Sequence, residues 1–220
     1  MLKGLVFDMD GTLVDNIAYH FRAFEEYIKE EGLTLAEPIS LRVNGMHSDD
    51  VFRILLGEEV CRNLDLDQVN IDKEKVYRRL YSGNVRPIAG LMELLNEAKA
   101  NGIKCAIGSS GCRENVEFII SELGIEEYID ASISGSDVTH GKPHPEIFSK
   151  AIERLGLRAE ECIVVEDATN GIKAGVAAGC KCLGITTTST TETLTECGAA
   201  LCVDDFTSVS IKSLETLLNN

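Results

Sequence analysis

Two aspartates of the segment FDMDGTLVDN, Asp8 and Asp10, follow a short apolar run and are separated by one residue. An aspartate and a glycine, here Gly11, are ordinary turn residues at a strand end, but turn chemistry does not explain two acids. Two carboxylates so close repel each other unless a cation or a proton lies between them. An EF-hand calcium loop is excluded, because no third acid precedes Gly11 and the twelfth loop position is Tyr19 rather than glutamate. The segment therefore predicts a site for some other cation.

Further side chains capable of chemistry follow three more apolar runs. They are Ser109 and Ser110 after residues 103–108, Lys142 after residues 129–134, and Glu166 with Asp167 at the end of residues 162–166. Hydroxyls and flexible backbone suit an oxyanion, and a lysine adds positive charge. Each of these features alone is commonly a helix cap or a solvated side chain. Four carboxylates, a lysine and hydroxyl donors in this order predict one functional site instead.

The elements that must position these side chains alternate along the chain. Patterns typical of buried strands lie at residues 4–7, 103–108, 129–134, 162–166, 181–185 and 201–203, and helical patterns lie at 90–101, 113–123, 145–155 and 171–178. Short apolar strands that alternate with helices indicate an α/β fold with a Rossmann-like parallel sheet covered by helices on both faces. Ligands bind such sheets at the carboxyl ends of the strands, where all the candidate residues lie.

Residues 16–82 interrupt this alternation. They contain amphipathic stretches such as AYHFRAFEEYIKEEG and DKEKVYRRLY and no convincing strand. We therefore predict an all-helical cap domain at 16–82, inserted after the first strand, and a catalytic core formed by 1–15 and 83–220. The threonine-rich stretch 186–193 is predicted to be a polar loop, and the glycines at 171, 175 and 179 are expected to allow close packing of a helix on the sheet.

Composition and charge restrict the possible partners. The chain has 220 residues, of which 44% are hydrophobic and 26% are charged, a balance typical of globular proteins. The formal net charge of −15 disfavours nucleic acid and anionic lipid, so a phosphate-bearing ligand needs a local cationic site. No apolar run reaches the ~18 residues of a membrane span. The eight cysteines include no Cys-x-x-Cys, and several lie in apolar runs, which favours reduced core cysteines in a cytoplasmic protein. We also expect the protein to be a monomer.

Four segments, FDMDGTLVD, AIGSSG, GKPHPEIF and VVEDATNG, resemble in this order the four motifs of the haloacid-dehalogenase-like (HAD) superfamily. The resemblance covers the whole chain, and the helical insertion is similar to the small helical cap of that superfamily. The segment DNIAYHFRAF most resembles the β-phosphoglucomutase-like branch, which contains sugar-phosphate phosphatases and mutases.

The resemblance implies a role for each acid. Asp8 would be the nucleophile that attacks phosphorus and becomes an aspartyl phosphate, and Asp10 would act as general acid and then as general base. Mg²⁺ would be held by the Asp8 carboxylate, the backbone carbonyl of Asp10 and Asp167, with Glu166 supporting through water. Such oxygen ligands with retained waters suit Mg²⁺.

The resemblance also implies how phosphate is bound. Lys142, Ser109 and the backbone amides of Met9 and Ser110 would contact the oxygens of the transferring phosphoryl group. In the cap, the positions that face substrate in the resembling branch are Asn16, His20, Gly45, Met46, His47, Ser48 and Lys73. No role follows for His140 or His144, and that of His47 stays open.

This sequence differs from β-phosphoglucomutase, the mutase of that branch, at two places that bear on function. The cap segment NGMHSDD has no arginine where the mutase holds a second phosphate, and Gly111 and Cys112 replace a serine and a lysine used for the same purpose. A mutase must bind a bisphosphate at both ends, whereas a phosphatase needs one phosphate site and a water. We therefore predict a Mg²⁺-dependent phosphatase acting on a small phosphorylated sugar or related metabolite. The alternative is a β-phosphoglucomutase acting on glucose 1-phosphate.

Two other classes are disfavoured. A non-enzymatic phosphate acceptor of the receiver type would share an acid pair, a hydroxyl and a lysine, but it needs neither a general acid such as Asp10 nor a helical lid. A haloacid dehalogenase has no use for the second acid. Steady turnover of a sugar phosphate would separate an enzyme from an acceptor module.

Overall fold

The computed structural model describes residues 1–39 and 48–219 of the chain. Contacts between residues divide it into two compact units. One unit comprises Met1–Asp15 and Val85–Asn220, and the other comprises Asn16–Asn84. The first unit carries the strands, and the second is an insertion that follows the first strand.

The first unit is built on one parallel sheet. Its strands are β1 (Gly4–Phe7), β2 (Lys104–Gly108), β3 (Ala131–Ile133), β4 (Cys162–Glu166), β5 (Lys181–Ile185) and β6 (Leu201–Val203). Their order across the sheet is β3-β2-β1-β4-β5-β6, so β1 lies at the centre. Gly4 of β1 is in register with Lys104 of β2 on one side and with Cys162 of β4 on the other. The predicted α/β fold with a Rossmann-like parallel sheet is confirmed.

The helices connect these strands and build the insertion. In chain order they are α1 (Ile17–Glu30), α2 (Ser48–Leu56), α3 (Glu58–Cys61), α4 (Leu66–Tyr81), α5 (Leu91–Ala100), α6 (Arg113–Leu123), α7 (Glu146–Leu155), α8 (Thr169–Ala177), α9 (Thr191–Glu196) and α10 (Ile211–Asn219). Helices α1–α4 belong to the second unit. In residues 1–39 and 48–219, no helix has the length and the apolar character needed to cross a membrane.

Helices cover both faces of the sheet because successive side chains of a strand point to opposite faces. Val6 of β1 belongs to a buried cluster that includes Phe148 of α7 and Ile172 of α8. Phe7 points the other way and meets the ring of Phe206 edge-on, with ring centroids 6.2 Å apart. The amide of Phe206 in turn donates to the carbonyl of Ala89, just before α5. The sheet is therefore buried on both sides, and its carboxyl ends remain the natural place for polar residues.

Four details of the predicted elements need correction. The strand predicted at 129–134 is shorter, since β3 comprises only Ala131–Ile133, and a 3₁₀ turn at Glu126–Tyr128 precedes it. The segment 186–193, predicted to be a loop, already enters α9 at Thr191, where the Thr190 side chain caps the helix. The helix predicted at 171–178 begins two residues earlier, at Thr169. Helix α10 is absent from the predicted elements.

The second unit is helical wherever it is described. Residues 16–39 and 48–82 contain helices and no strand. Helices α1 and α4 pack against each other, and aromatic rings fill the space around them. Phe24 and Tyr27 of α1 both meet the ring of Phe52 edge-on, at centroid distances of 5.0 and 5.8 Å. This aromatic packing stabilises the insertion as a unit of its own.

Cysteines of the strands behave as small hydrophobes. Cys105, Cys162 and Cys182 are buried in β2, β4 and β5. Burial raises the pKa of each of these thiols to about 12, so they stay protonated at neutral pH. Their position in the core agrees with the structural role predicted for them.

Candidate active site

Lys142 joins two carboxylates that come from neighbouring strands. Asp8 directly follows β1, and Glu166 is the last residue of β4, which pairs with β1. The Lys142 ammonium donates to Oδ1 of Asp8 at 2.5 Å and to Oε1 of Glu166 at 2.8 Å. Its charge also lies 4.5 Å from the ring centroid of Phe148. Residues that are 134 and 24 positions apart in sequence are thereby held in one charged cluster.

A tight turn after β1 presents the two aspartates. The amides of Thr12 and Leu13 both donate to the carbonyl of Met9, at 3.2 and 2.9 Å. Gly11 has a φ of +85°, a conformation that other residues rarely adopt. A Cβ atom at Gly11 would also lie only 2.2 Å from Oδ2 of Asp167. Glycine is therefore required here both for the turn and for the approach of the Asp167 carboxylate.

Asp167 is buried, and hydroxyl groups fix its carboxylate. The Thr12 hydroxyl donates to Oδ1 at 3.1 Å, and the Thr188 hydroxyl donates to Oδ2. Thr188 also donates to the backbone carbonyl of Asp167 at 3.0 Å. The neighbouring Thr187 donates to the backbone carbonyl of Gly11, so the segment after β5 ties the turn after β1 to the acid after β4.

The Glu166 carboxylate is fixed by two hydrogen bonds and occupies space that is left by a glycine. Its Oε2 accepts the amide of Ala168 at 2.6 Å, while its Oε1 accepts Lys142. A Cβ atom at Gly171 would lie 1.6 Å from Oε1 of Glu166. Gly171 therefore clears space for this carboxylate, whereas Gly175 allows α8 to approach Val164 and Cys182 of the sheet. Gly179 has a φ of +88° and follows the end of α8, so close packing is not its main role.

Three acids lie so close together that the positive charge of one lysine does not neutralise their combined negative charge. Oxygens of Asp8, Glu166 and Asp167 all lie within 4.8 Å of one another. Burial raises the pKa of Asp8 well above its ordinary value, and the charges of Glu166, Asp167 and Asp10 raise it further despite the opposing effect of Lys142. Burial, followed by the charge of Glu166, raises the pKa of Asp167 to about 7. A bound divalent cation would offset this repulsion, so the residues present fit an oxygen-ligated metal ion.

Lys142 keeps its charge in spite of its burial. Burial alone lowers the pKa of a lysine, but the carboxylates of Asp8 and Glu166 and their hydrogen bonds outweigh it. The pKa of Lys142 consequently lies above its ordinary value. The site thus contains one permanent positive charge beside the predicted nucleophile.

The segment after β2 brings a hydroxyl to the neighbourhood of the turn that carries Asp10. Ser109 is buried, its amide donates to the carbonyl of Ile133, and its Oγ accepts the amide of Gly111 at 3.0 Å. A Cβ atom at Gly111 would lie 3.7 Å from Oδ2 of Asp10 and 3.5 Å from Cε of Met9. The segment at Ser109–Gly111 therefore adjoins the turn that carries Asp10. Ser110 is exposed, and Asp10 is half-buried.

The structure brings most of the predicted core residues to one edge of the sheet. Asp8, Glu166, Asp167 and Lys142 form a single cluster, and Ser109 reaches the turn of Met9 and Asp10 through Gly111. Thr12, Thr187 and Thr188 contact the same groups but were not predicted as site residues. Their position in the sequence could have indicated this role. Residues 186–188 directly follow β5 and therefore lie at the edge formed by the carboxyl ends of the strands.

Two of the predicted cap residues, Asn16 and His20, contact Tyr77 of α4. Asn16 donates to the Tyr77 hydroxyl at 2.6 Å, and the His20 ring stacks on the Tyr77 ring at 4.0 Å with a 6° tilt. Lys73, one turn earlier on α4, is buried with its ammonium 4.5 Å from the ring of Phe24, and it pairs with Glu74. Ser48 begins α2 and is half-buried. Gly45, Met46 and His47 lie outside the described residues.

Two arginines near the positions where the mutase has cations are engaged elsewhere. Arg113, which follows Cys112 at the start of α6, forms a salt bridge with Asp137. Arg53 of α2 lies 3.4 Å from a carboxylate oxygen of Asp50 and 3.9 Å from one of Glu58. Both arginines are thus paired with carboxylates in this structure.

Replacing Lys142 is expected to destabilise the protein strongly. Lys142→Met removes the positive partner of two buried carboxylates, and breaking a buried ion pair in this way costs about 3–5 kcal/mol. Urea denaturation without divalent metal would measure the loss in the free energy of unfolding. The matched control is Lys99→Met, which removes an exposed salt bridge to Glu127 and should change the free energy of unfolding far less. Equal effects of the two substitutions would contradict the buried charge cluster.

Comparison with known proteins agrees with this geometry. The family described as haloacid dehalogenase-like hydrolase matches residues 5–185. The fructose-1-phosphate phosphatase YqaB of Escherichia coli (strain K12) is 30% identical over 178 residues, which cover 80% of this chain and 92% of that protein. The structure of a HAD hydrolase, family IA, variant 3 from Entamoeba histolytica superposes with a TM-score of 0.88 at 26% identity and full coverage of both chains.

The predicted branch also has a structural counterpart. A putative β-phosphoglucomutase from Thermotoga maritima superposes with a TM-score of 0.74 at 27% identity, covering 99% of this chain and 97% of that one. The predicted resemblance to the superfamily and to its β-phosphoglucomutase-like branch is confirmed, and so is the prediction of an enzyme of hydrolase type. With the family match over residues 5–185 and the acids at the ends of β1 and β4, the chain belongs to the haloacid dehalogenase-like hydrolases.

Proposed function

We propose that this protein is a Mg²⁺-dependent phosphatase that hydrolyses a small phosphorylated sugar or related metabolite through an aspartyl phosphate on Asp8. The observation that carries this proposal is the cluster of Asp8, Glu166, Asp167 and Lys142 at the carboxyl ends of β1 and β4. It combines a carboxylate nucleophile, oxygen ligands for a cation and a fixed ammonium within a few ångströms.

The proposed nucleophile is the Asp8 carboxylate. Lys142 at 2.5 Å orients one of its oxygens, and its charge lowers the pKa that burial and the neighbouring acids raise. A carboxylate that is held in this way can attack phosphorus and divide hydrolysis into two easier steps. Water then cleaves the aspartyl phosphate, releasing inorganic phosphate and restoring Asp8.

The proposed Mg²⁺ ligands are the Asp8 carboxylate, the Asp10 backbone carbonyl and the Asp167 carboxylate, with Glu166 acting through water. When bound, Mg²⁺ supplies positive charge that offsets both the clustered acids and the phosphate dianion. Thr12 and Thr188 fix the orientation of the Asp167 carboxylate through hydrogen bonds. Such support of a ligand by neighbouring groups holds it ready for the ion.

Proton transfer is assigned to Asp10. Its carboxylate comes from the turn after β1, two residues from the nucleophile, and lies beside Gly111. In the first step Asp10 would protonate the leaving oxygen of the substrate, and in the second it would accept a proton from the attacking water. The phosphoryl oxygens would meanwhile be held by Lys142, the Ser109 hydroxyl and the amides of Met9 and Ser110, because positioning and electrostatics dominate phosphoryl transfer.

In the part of the chain that the structure describes, the side chains near a possible second phosphate favour hydrolysis over isomerisation. Glycine and cysteine stand at 111 and 112, and Arg113 and Arg53 are paired with carboxylates. The relative in Escherichia coli is named a fructose-1-phosphate phosphatase, which supports a sugar phosphate as substrate. The second candidate is a β-phosphoglucomutase, favoured by the putative mutase among the structural neighbours. We further propose that the enzyme acts as a cytoplasmic monomer, in line with self-repulsion at a net charge of −15.

One assay separates the two candidates. The enzyme is given Mg²⁺ and a panel of sugar phosphates that includes β-glucose 1-phosphate with a trace of the 1,6-bisphosphate. We expect inorganic phosphate from several substrates and little glucose 6-phosphate. One charge-assisted contact to a phosphate contributes roughly 1.5–3 kcal/mol to binding. Without two such contacts, the affinity for the sugar bisphosphate should be lower by about 100-fold or more. Glucose 6-phosphate forming much faster than phosphate would establish a mutase instead.

Removal of divalent metal is expected to stop turnover. Excess EDTA should abolish phosphate release, since the acidic cluster would then face the phosphate dianion with Lys142 as the only neighbouring cation assigned to the site. Added Mg²⁺ should restore the rate. The measurement is phosphate release before chelation, after chelation and after Mg²⁺ is returned, with EDTA–Mg²⁺ as control. Full activity in excess chelator would refute the role of the metal.

A further inference from the structure

Two histidines without a role in the proposed chemistry flank Lys142 in the sequence, each two residues away from it. His140 and His144 belong to the segment between β3 and α7, and Glu146 is the first residue of α7. One potential ligand atom of each of these three residues lies within 4.8 Å of the others. Across residues 1–39 and 48–219, this group and the acidic cluster at Asp8 are the two sets of side chains with such spacing.

The three side chains already touch one another. Nδ1 of His140 lies 3.2 Å from Oε2 of Glu146, and the Glu146 amide donates to Nδ1 of His144 at 3.3 Å. The two imidazole rings are 4.6 Å apart between centroids and tilted by 33°. Both contacts are at the long end of the hydrogen-bond range and are therefore weak, so replacing them by bonds to a metal ion costs little free energy.

Glu146 is a prearranged anchor for this group. Its carboxylate accepts the amides of Thr139 at 3.1 Å and His140 at 2.9 Å, and the Lys150 ammonium at 2.6 Å. The Glu146 side chain is only 16% exposed, whereas the side chain of His140 is 63% exposed. The carboxylate is therefore fixed in place while the imidazoles remain accessible to an ion from solution.

We propose that His140, His144 and Glu146 form a second metal site, which binds a divalent transition-metal ion of the Zn²⁺ type. Imidazole nitrogen is a good ligand for Zn²⁺, Ni²⁺ and Cu²⁺, and one carboxylate completes a three-ligand set that leaves a position for water. Mg²⁺ prefers oxygen ligands and favours the acidic cluster instead. The two sites thus differ in the class of ion that they select.

Occupation of this second site slows turnover through Lys142. Zn²⁺ binds nitrogen at about 2.0–2.1 Å, so ligand atoms up to 4.8 Å apart must move together. Lys142 lies between the two histidines, and its hydrogen bonds of 2.5 and 2.8 Å to Asp8 and Glu166 depend on the path of this segment. A displacement of about 1 Å at a reacting group can cost up to about 10²-fold in rate. Only this consequence for the rate depends on the proposed function.

Binding is tested without any turnover. Zn²⁺ is titrated calorimetrically into the protein in saturating Mg²⁺, which competes with Zn²⁺ for carboxylate oxygens elsewhere on the protein. The variants are His140→Gln, His144→Gln and the control Glu153→Gln, which neutralises an exposed acid of α7. We expect one Zn²⁺ per chain for the wild type and the control, and at least about tenfold weaker binding in each histidine variant. Equal binding by all four proteins would overturn the second site.

The effect on the rate is tested on the same proteins. Without Zn²⁺ the two histidine variants should turn over like the wild type, since neither histidine belongs to the proposed catalytic machinery. Added Zn²⁺ should slow the wild type and Glu153→Gln while sparing both histidine variants. Equal inhibition of all four would locate the inhibitory ion at the acidic cluster and overturn the link to Lys142. Thermal unfolding of each variant would verify that it is folded.

Discussion

Asp8→Asn is expected to lower turnover by about 10⁴-fold or more, on the scale seen when a nucleophile is removed from other enzymes. An amide is a poor nucleophile toward phosphorus and a weaker ligand for Mg²⁺ than a carboxylate. The fold should be preserved, because asparagine has the same shape and relieves repulsion with Glu166 and Asp167 in the buried cluster. Phosphate release by purified protein at saturating substrate and Mg²⁺ is the measurement.

The matched control is Asp15→Asn, an exposed acid in the same segment that contributes nothing to the proposed chemistry. It should retain the wild-type rate. Acid-quenched wild type should also carry a phosphate that hydroxylamine removes, as expected for an acyl phosphate, and Asp8→Asn should carry none. An Asp8→Asn rate within tenfold of wild type would exclude the covalent mechanism.

Asp10→Asn is expected to slow turnover by about 10²–10⁴-fold, the range that positioned acid–base catalysis contributes. The substitution removes proton transfer but keeps the backbone carbonyl that is proposed to bind Mg²⁺. The Mg²⁺ concentration that supports half-maximal activity should therefore change little while the maximal rate falls. Substrates with more acidic leaving groups should be affected least, because they need less protonation as they depart.

The split between rate and metal affinity makes this prediction specific. A large loss of Mg²⁺ affinity with a normal maximal rate would make the Asp10 side chain a metal ligand rather than a proton carrier. Asp167→Asn is the matched comparison, since its carboxylate is proposed to bind the metal directly. In Asp167→Asn, unlike Asp10→Asn, the main expected effect is a loss of Mg²⁺ affinity.

Most of the fold and the core of the candidate site follow from local features of the sequence. The buried strands are short apolar runs, and their parallel arrangement brings residues that follow them to one edge. Asp8 and the pair Glu166 and Asp167 could therefore be placed together without knowledge of their distances.

The features that escaped prediction have no distinctive local pattern. Thr187 and Thr188 lie in a run of threonines that has the same composition as a solvated loop, and only the tertiary structure reveals their hydrogen bonds to Gly11 and Asp167. Helix α9 has six residues and a single buried side chain, Leu194, so its periodicity is too short to detect.

The shortened edge strand has a more specific cause. The Asp130 carboxylate accepts the amide of Cys105 at 2.9 Å, so a side chain takes the place of a backbone partner just before β3 begins. β3 is at the edge of the sheet and pairs with β2 alone. An apolar run therefore extends beyond the residues that form the ladder, and the sequence pattern overestimates the strand.

The central position of β1 has a consequence for synthesis. Its two neighbours are β2 and β4, and Gly4 is 158 residues upstream of its partner Cys162 (162 − 4). At about 5–20 residues per second, roughly 8–30 s pass on the ribosome before that partner is made. During this time the apolar β1 segment lacks one of its neighbours and offers an unpaired edge to other chains or to chaperones. A nascent chain that stops before β4 would contain Asp8 and Asp10 yet possess neither Glu166 nor Asp167, so the proposed site is incomplete until late in translation.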